Sequence, residues 1–271
     1  MEGGDSQRRI YEDRNGIDSD QSMKRLAGQS PLRSHTSRVG VTDLMITPPL
    51  LLPPALPGRP VPFPDAESAD PEGVVAVGGD LSVETLVSAY SQGIFPWCGE
   101  PPIWYSPDPR GVFDLDQFHV GRSMRRVLRK HDYEVTFDRG FDRVIGCCAR
   151  LHGETWIDAA LRRAYLRLHR AGFAHSVEVW EGTQLVGGVY GVAVGGLFAG
   201  ESMFHRRTNA SKIALCHLRD RLVERGFVLF DIQMTTPATE ILGAHSISRT
   251  EYLARLKQAM KVQTSLLDPH E

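Results

Sequence analysis

Gly187 to Lys212 reads GGVYGVAVGGLFAGESMFHRRTNASK. The first half is a Gly-rich run of β-branched and aromatic residues, the pattern of a buried strand. The end, Thr208-Asn209-Ala210-Ser211-Lys212, opens a helical pattern with Asn209 as a favourable N-cap. Between them stands Glu201, flanked by Ala199, Gly200, Met203 and Phe204. A carboxylate on so apolar a strand is costly to bury unless it meets a cation. Glu201 therefore predicts a pocket for a positively charged ligand, or an internal ion pair with a residue such as Arg206 or Arg249. Side chains alternate along a strand, which puts Ala199, Glu201 and Met203 on one face and Phe198 on the other. A bulge at Gly200 would bring Phe198 round to the side of Met203.

Downstream, Asn209 to Arg225 reads as a helix with Leu215, Leu218 and Leu222 inward and Gly226 at its end. Phe227 to Met234 is almost continuously apolar, so it reads as a central strand buried on both faces. Its two polar interruptions, Asp231 and Gln233, lie two apart and point the same way. Buried polar side chains need partners. Here they also sit where the strand ends, before Thr235-Thr236-Pro237, the place where α/β sheets keep their sites. A last helix, Glu251 to Met260, is expected after Thr250.

Upstream, Ala174 to Trp180 and Gln184 to Val194 read as a hairpin around Glu181-Gly182-Thr183. A helix capped by Asp158 carries Leu161, Ala164, Tyr165 and Leu168 on one face and Arg163, Arg167 and Arg170 on the other. A second amphipathic helix, Val120 to Lys130, sets Val120, Met124, Val127 and Leu128 against Arg122, Arg125, Arg126 and Arg129. Such a stripe is usually a plain solvated face, but with no acidic residues at i+4 a polyanion contact stands on an equal footing with it. Ile94 to Arg110 mixes aromatics with prolines and is expected to be a loop, neither helix nor central strand. Trp97 on that loop and Trp156 before the Asp158 cap are candidates for pocket walls, whereas Trp104 and Tyr105 read as a satellite core. Val74 to Val77 is a short strand, followed by a helix capped by Ser82.

Met1 to about Val41 is charged and poor in aromatics, the composition of a disordered segment. The proline-rich stretch from Thr47 to Pro64 reads as an extended linker. The whole chain has 271 residues and a net charge of −2, so any nucleic-acid footprint must be local rather than a property of bulk charge. Cys98, Cys147, Cys148 and Cys216 form no CxxC pair and read as reduced thiols in a cytosol. No signal peptide or membrane-length apolar run is present, and no HExxH or GxSxG motif. The element order implies an α/β (α+β) chain with a mixed sheet. Its expected divisions are an extension over 1–40, a small N-terminal domain with the proline-rich lead-in over 41–110, a larger domain over 111–262 and a tail over 263–271.

GESMF followed by NASK, with VGGDLS, GIFPW, SPDPR, TWI, AHSVEVW, LVGG-YGVA and D-x-Q in order, resembles the leucyl/phenylalanyl-tRNA–protein transferases from about Val74 to Leu256. The resemblance implies an N-acetyltransferase-like fold for the larger domain. It also implies transfer of leucine or phenylalanine from aminoacyl-tRNA to proteins beginning with Arg or Lys, which marks them for degradation, by a cytoplasmic monomer without membrane, cofactor or metal. On this reading Asp231 and Gln233 are catalytic. Trp97, Trp156, Phe198 and Met203 hold the apolar side chain, and Glu201 meets a cationic group of the acceptor. The arginines at 122, 125, 126 and 129, with Arg163 and Arg167, contact tRNA. Three positions depart from the family pattern: Ala238 stands where many members carry histidine, His205 where serine is common and Val189 where methionine lines the pocket. Two rival readings are an acyl-CoA N-acetyltransferase and a non-catalytic tRNA-binding module. Gln184 to Val189 fails the Q/R-x-x-G-x-G/A pyrophosphate pattern at its last position, and a binding module has no need of Asp231 and Gln233.

Overall fold

The computed structural model describes residues 50–53, 58–97, 100–130, 132–151 and 157–267. The expected disordered extension over 1–40 and Trp156 lie outside the described residues. In chain order the elements are β1 (Leu50–Leu52), β2 (Val74–Gly78), α1 (Val83–Ser91), β3 (Phe95–Trp97), β4 (Ile103–Tyr105), β5 (Arg110–Phe113), α2 (Arg122–Leu128), β6 (Glu134–Phe137) and α3 (Phe141–Leu151). They continue with α4 (Ala159–Arg170), β7 (Ala174–Glu181), β8 (Gln184–Val194), β9 (Leu197–His205), α5 (Ala210–Glu224), β10 (Leu229–Gln233), α6 (Pro237–Glu240), β11 (His245–Ile247) and α7 (Arg249–Ala259).

Two mixed sheets result. The smaller has order β1-β2-β4-β3 and the larger β11-β5-β10-β9-β8-β7-β6. In the larger sheet β9 and β10 pair in parallel, joined by α5 as the crossover, and the remaining pairs are antiparallel. This is the mixed α/β architecture that the element order implies. The proline-rich segments are more regular than expected. Leu50–Leu52 adds to β2 as a parallel strand, and Ile103–Tyr105, a proline-free interval between prolines, is an inner strand of the small sheet. Pro96 sits in β3, an edge strand, where a missing N–H is tolerated. Trp104 is buried, and its indole N–H donates to Gly78 O at 2.8 Å. The last helix starts earlier than expected, because Ser248 rather than Thr250 caps it through Glu251 N.

The larger sheet is covered on both faces. One apolar cluster joins residues of α1, α3, α4 and α7, among them Leu86, Val144, Leu168 and Leu256, to Tyr190, Ala199 and Phe204 of the sheet. It also includes Phe95, Trp97 and Trp104, so the small sheet and the large one share this core. The other cluster joins Met124 of α2 and Ile213, Leu218 and Leu222 of α5 to Val177, Val189, Phe198 and Phe230. The two basic helices, α2 and α4, therefore lie on opposite faces of the sheet.

One glycine controls how closely α5 approaches. A Cβ at Gly187 would fall 2.4 Å from Ala210 Cβ and 2.8 Å from Ala210 C, at the first turn of α5. Both obstacles are held by a helix backbone and cannot swing away. Gly187→Ala is expected to lower stability by about 1–3 kcal/mol through overpacking. The check is thermal or denaturant unfolding, in which an unchanged midpoint would mean that α5 is free to move.

Candidate active site

The site forms where the pairing of β9 with β10 ends, under α1, α4 and α7. At its base Arg110, the first residue of β5, pairs with Asp231 through two hydrogen bonds, Nε to Oδ1 at 2.9 Å and Nη2 to Oδ2 at 2.6 Å. Both side chains are buried, at 1% and 0% exposure. Burial tends to lower the Arg110 pKa, but the charge and hydrogen bonds of Asp231, with Tyr252 and Glu201 nearby, together outweigh it and the net shift is upward. Arg110 Nη1 also donates to Gly93 O at 3.1 Å, and its guanidinium lies between the rings of Phe95 and Tyr252. Tyr252 of α7 donates its hydroxyl to Asp231 Oδ2 at 2.9 Å.

The remaining contact of Asp231 is with Gln233. Its Oδ1 accepts the Gln233 backbone N–H at 2.8 Å. Gln233 has φ of 56°, in the left-handed region that disfavours a side chain, and the β10–β5 register shifts between Asp231 and Gln233. A bulge thus sets the Gln233 backbone against the Asp231 carboxylate, in place of the plain alternation expected from their spacing. Gln233 is 8% exposed and its Nε2 donates to Glu201 Oε1 at 3.0 Å. Its amide oxygen accepts no hydrogen bond among the described residues.

Glu201 is also placed by a bulge. Tyr190 pairs with Ser202 and Gly191 with Gly200, which leaves Glu201 without an opposite residue in β8. The break in alternation turns Glu201 towards α4, where Tyr165 donates to Oε2 at 2.7 Å. Tyr90 of α1 lies 2.6 Å from the Tyr165 hydroxyl. With Tyr165 donating to Glu201, Tyr90 is the donor of that second bond. The expected ion pair with Arg206 or Arg249 does not form. Arg206 turns to Cys147 Sγ, and Arg249 to Ser106 O and Glu67. Glu201 is 9% exposed, and burial pushes its pKa up to about 7 against the opposing influence of the Tyr165 and Tyr90 hydroxyls. Asp231 raises it further and Arg110 opposes it.

The same bulge puts Phe198 and Met203 together, in the cluster under α5 and away from Glu201. Phe198 packs edge-on against Phe230 with centroids 5.7 Å apart. Trp97 is buried in the opposite cluster beside Tyr105, at 5.6 Å between centroids. The structure thus gathers Asp231, Gln233 and Glu201 at one point and divides the expected apolar wall between two cores. Asn209 precedes α5 as expected, but at φ of 69° its side chain makes no capping bond. The arginines at 122, 125, 126, 129, 163 and 167 are exposed, and none pairs with a carboxylate among the described residues. Arg125 does donate to Val120 O and Arg167 to Leu81 O.

Sequence reasoning missed Arg110, Tyr252, Tyr90 and Tyr165 as members of the site. Arg110 closes the SPDPR motif, and a cation opening a short apolar strand was the available signal. The tyrosines fell on apolar helix faces, where a phenol looks like core.

The sequence matches two family models. One is described as leucyl/phenylalanyl-tRNA protein transferase, over residues 112–257, and the other as the N-terminal domain of the same protein, over residues 79–108. A leucyl/phenylalanyl-tRNA–protein transferase of Pseudomonas fluorescens strain Pf-5 is 53% identical over 202 residues, 72% of this chain and 89% of its own. One from Shewanella baltica strain OS195 is 44% identical over 213 residues, 77% of this chain and 89% of its own. The solved structure of L-PGS from Bacillus licheniformis is a looser likeness, with 14% identity and a TM-score of 0.36 over 47% of this chain and 46% of that one.

Glu201 makes stability depend on pH in a definite direction. Its folded pKa of about 7 lies above the ordinary value of 4.5, so the folded state holds the extra proton between those values. Stability from this group is present at low pH and lost as pH rises from about 4.5 through about 7. Unfolding free energies measured across that window should fall with pH, and Glu201→Gln should flatten the slope. An equal slope in the variant would assign the dependence to another group.

Proposed function

The chain belongs to the leucyl/phenylalanyl-tRNA–protein transferase family, and from that premise we propose how its residues divide the work of aminoacyl transfer. The enzyme moves leucine or phenylalanine from an aminoacyl-tRNA to the N-terminal amine of a protein. The amine nitrogen attacks the ester carbonyl, an amide bond forms, and the ester bond to the ribose oxygen breaks. The proton lost by the amine ends on that oxygen. An α-amine has a pKa near 7.7–8.0, so about a tenth or more is neutral at neutral pH. The ester is already an activated acyl donor. Positioning and stabilisation of the tetrahedral intermediate are the main tasks left to the protein.

Gln233 holds the attacking amine through its amide oxygen. The observation that carries this role is that the other end of the amide is fixed by Glu201 while the oxygen remains open. Asp231 works at one remove. Its carboxylate is occupied by Arg110, Tyr252 and the Gln233 backbone, so it fixes where Gln233 stands and does not touch substrate. Glu201 meets the cationic group of an acceptor that begins with Arg or Lys, and an acceptor charge beside it would draw its proton off. Trp97, which shares a core with the tyrosines that hold Glu201, is the apolar contact for the donor side chain, with Trp156 as a second candidate; Phe198 and Met203 lie in the opposite core and shape the site from behind. Exposed arginines of α2 and α4 contact tRNA phosphates. Leucine or phenylalanine left at the N-terminus of the product serves as a degradation signal, read in the cytoplasm.

Labelled leucyl-tRNA and peptides differing only at their first residue test this directly. Product is expected with Arg and Lys first and not with apolar residues. Gln233→Ala should lower kcat by roughly 10²–10³, the scale of losing one positioned polar group. Asp231→Ala should lower both kcat and Tm, because it strands Arg110. A fully active Gln233→Ala enzyme would make Gln233 structural.

Arg→Gln changes in each stripe should weaken tRNA binding alike for every amino acid. They should also flatten the salt dependence by about one unit of slope for each phosphate that is no longer neutralised. A stripe whose removal leaves the slope unchanged is a solvated face.

A further inference from the structure

The chemistry above leaves unused a further group of arginines, on α3 and just past β9. Arg143, Cys147 and Arg150 repeat at i, i+4 and i+7 and so share a side of α3. Arg206 Nη2 donates to Cys147 Sγ at 3.4 Å, and Arg150 Nη2 donates to the same sulfur at 3.5 Å. A thiol is a weak acceptor and gives two guanidiniums no counter-charge. Arg143, Arg150 and Arg206 are exposed, and none pairs with a carboxylate among the described residues. The Arg143 guanidinium lies 4.6 Å from the centroid of the buried Trp180 ring, which limits its freedom. At Gly146 a Cβ would lie 3.5 Å from Arg150 Nη1 and 3.7 Å from Nη2 of Arg162, so the missing side chain makes room for cationic tips. Arg162 is answered by Asp142 and ties α4 to α3. Beside this row a cleft of about 870 Å³ opens at the β7–β8 hairpin, lined by Arg143, Arg206, Arg207, Thr183, Gln184 and Thr208. Glu181 also lines it and is paired with Arg207, which leaves Arg143 and Arg206 as the uncompensated charges of the wall.

Like charges gathered at a cleft with no acid to answer them call for an anion, and the planar fork of arginine matches phosphate oxygens. We propose that Arg143, Arg150 and Arg206 form a phosphate-binding surface for the part of the tRNA that leads to its aminoacylated end, separate from the stripes on α2 and α4. The choice of tRNA as the polyanion rests on the aminoacyl-transfer reading. The surface and the site share one face of the large sheet. Tyr165 of α4 bonds Glu201, Cys147 of α3 accepts from Arg206, and both helices belong to the same core. Glu201, which accepts from Gln233, and Arg206 are at most about 17 Å apart along the chain. That is the rise of roughly five stacked nucleotides. Phosphates a few nucleotides from the ester reach these arginines without crossing the sheet.

Two donors test the assignment: leucyl-tRNA, and leucyl-adenosine, which carries the same ester but no phosphate. Arg143→Gln combined with Arg206→Gln should raise KM for leucyl-tRNA about tenfold with little change in kcat, and leave transfer from leucyl-adenosine unchanged. Binding of uncharged tRNA, followed by fluorescence anisotropy, should lose about two units of salt slope. Arg150→Gln combined with Arg206→Gln leaves the Arg143 stack on Trp180 intact and should act alike, which separates charge from folding. Unchanged KM and salt slope in both double variants would overturn the proposal. So would an equal loss from Lys257→Gln, an exposed charge on α7, because the effect would then be one of bulk charge. A loss that persists with leucyl-adenosine and a folded protein acceptor, but vanishes with a short peptide acceptor, would give the surface to the acceptor protein and reject tRNA. If the parent transfers no leucine while the salt slope still falls in the variants, the transfer reading fails and the surface stands.

Discussion

The buried pair of Arg110 and Asp231 fixes the geometry on which the rest of the site depends. It ties β5 to β10, and through Gly93, Tyr252 and Phe95 it also reaches the end of α1, α7 and β3. An ion pair this deep adds little net stability compared with a well-packed apolar substitute, because both charges lose their water. Removing one partner is another matter and typically costs about 3–5 kcal/mol, since the other charge is left buried alone. The pair is therefore best understood as a device of position. It holds the Gln233 backbone in a left-handed conformation that a side chain ordinarily avoids.

That arrangement gives two nearby carboxylates opposite fates. Asp231 has a guanidinium, a phenol and an N–H, so its charge is fully compensated. Glu201 has a phenol and an amide but no cation, and burial lifts its pKa to about 7. A group poised there exchanges protons at little cost near neutral pH, which suits a site whose substrate is itself an amine titrating near neutrality. Tyr165 and Tyr90 keep Glu201 from sharing the arginine, because they hold it on the α4 side of the sheet.

Much of this is legible from residue types. The isolated carboxylate in GESMF and the polar pair in a buried apolar strand both mark the site, since each violates a simple burial pattern. Orientation is less legible. Phe198, Glu201 and Gln233 each depend on a bulge, and a bulge is decided by pairing across the sheet rather than by the bulged strand alone. A bulge near Gly200 is signalled only through the family resemblance, which implies a common side for Phe198 and Met203. Arg110 is hard to recognise because its partner lies far along the chain, and an arginine next to proline looks like a loop residue. β5 and β11 are too short to show a period, so neither leaves a strand signal in the residue pattern.

The position of the helices also weighs the two basic stripes against each other. α2 and α5 share one face of the large sheet, whereas α4 shares the other with α1, α3 and α7. A polyanion lying along α2 stays on the α5 face, and it must pass round an edge of the sheet to reach Glu201 and α4. Arg167 of α4 is in addition engaged with Leu81 O, on the approach to α1. On α2, Arg122, Arg126 and Arg129 have exposed side chains and no protein partner among the described residues. Long-range attraction between exposed charges fades over about 8–10 Å at ordinary ionic strength. Glu201 lies on the α4 side, so the two stripes cannot grip one short segment of nucleic acid: α4 is placed for the strand that enters the site, and α2 for a more distant part of the same polyanion.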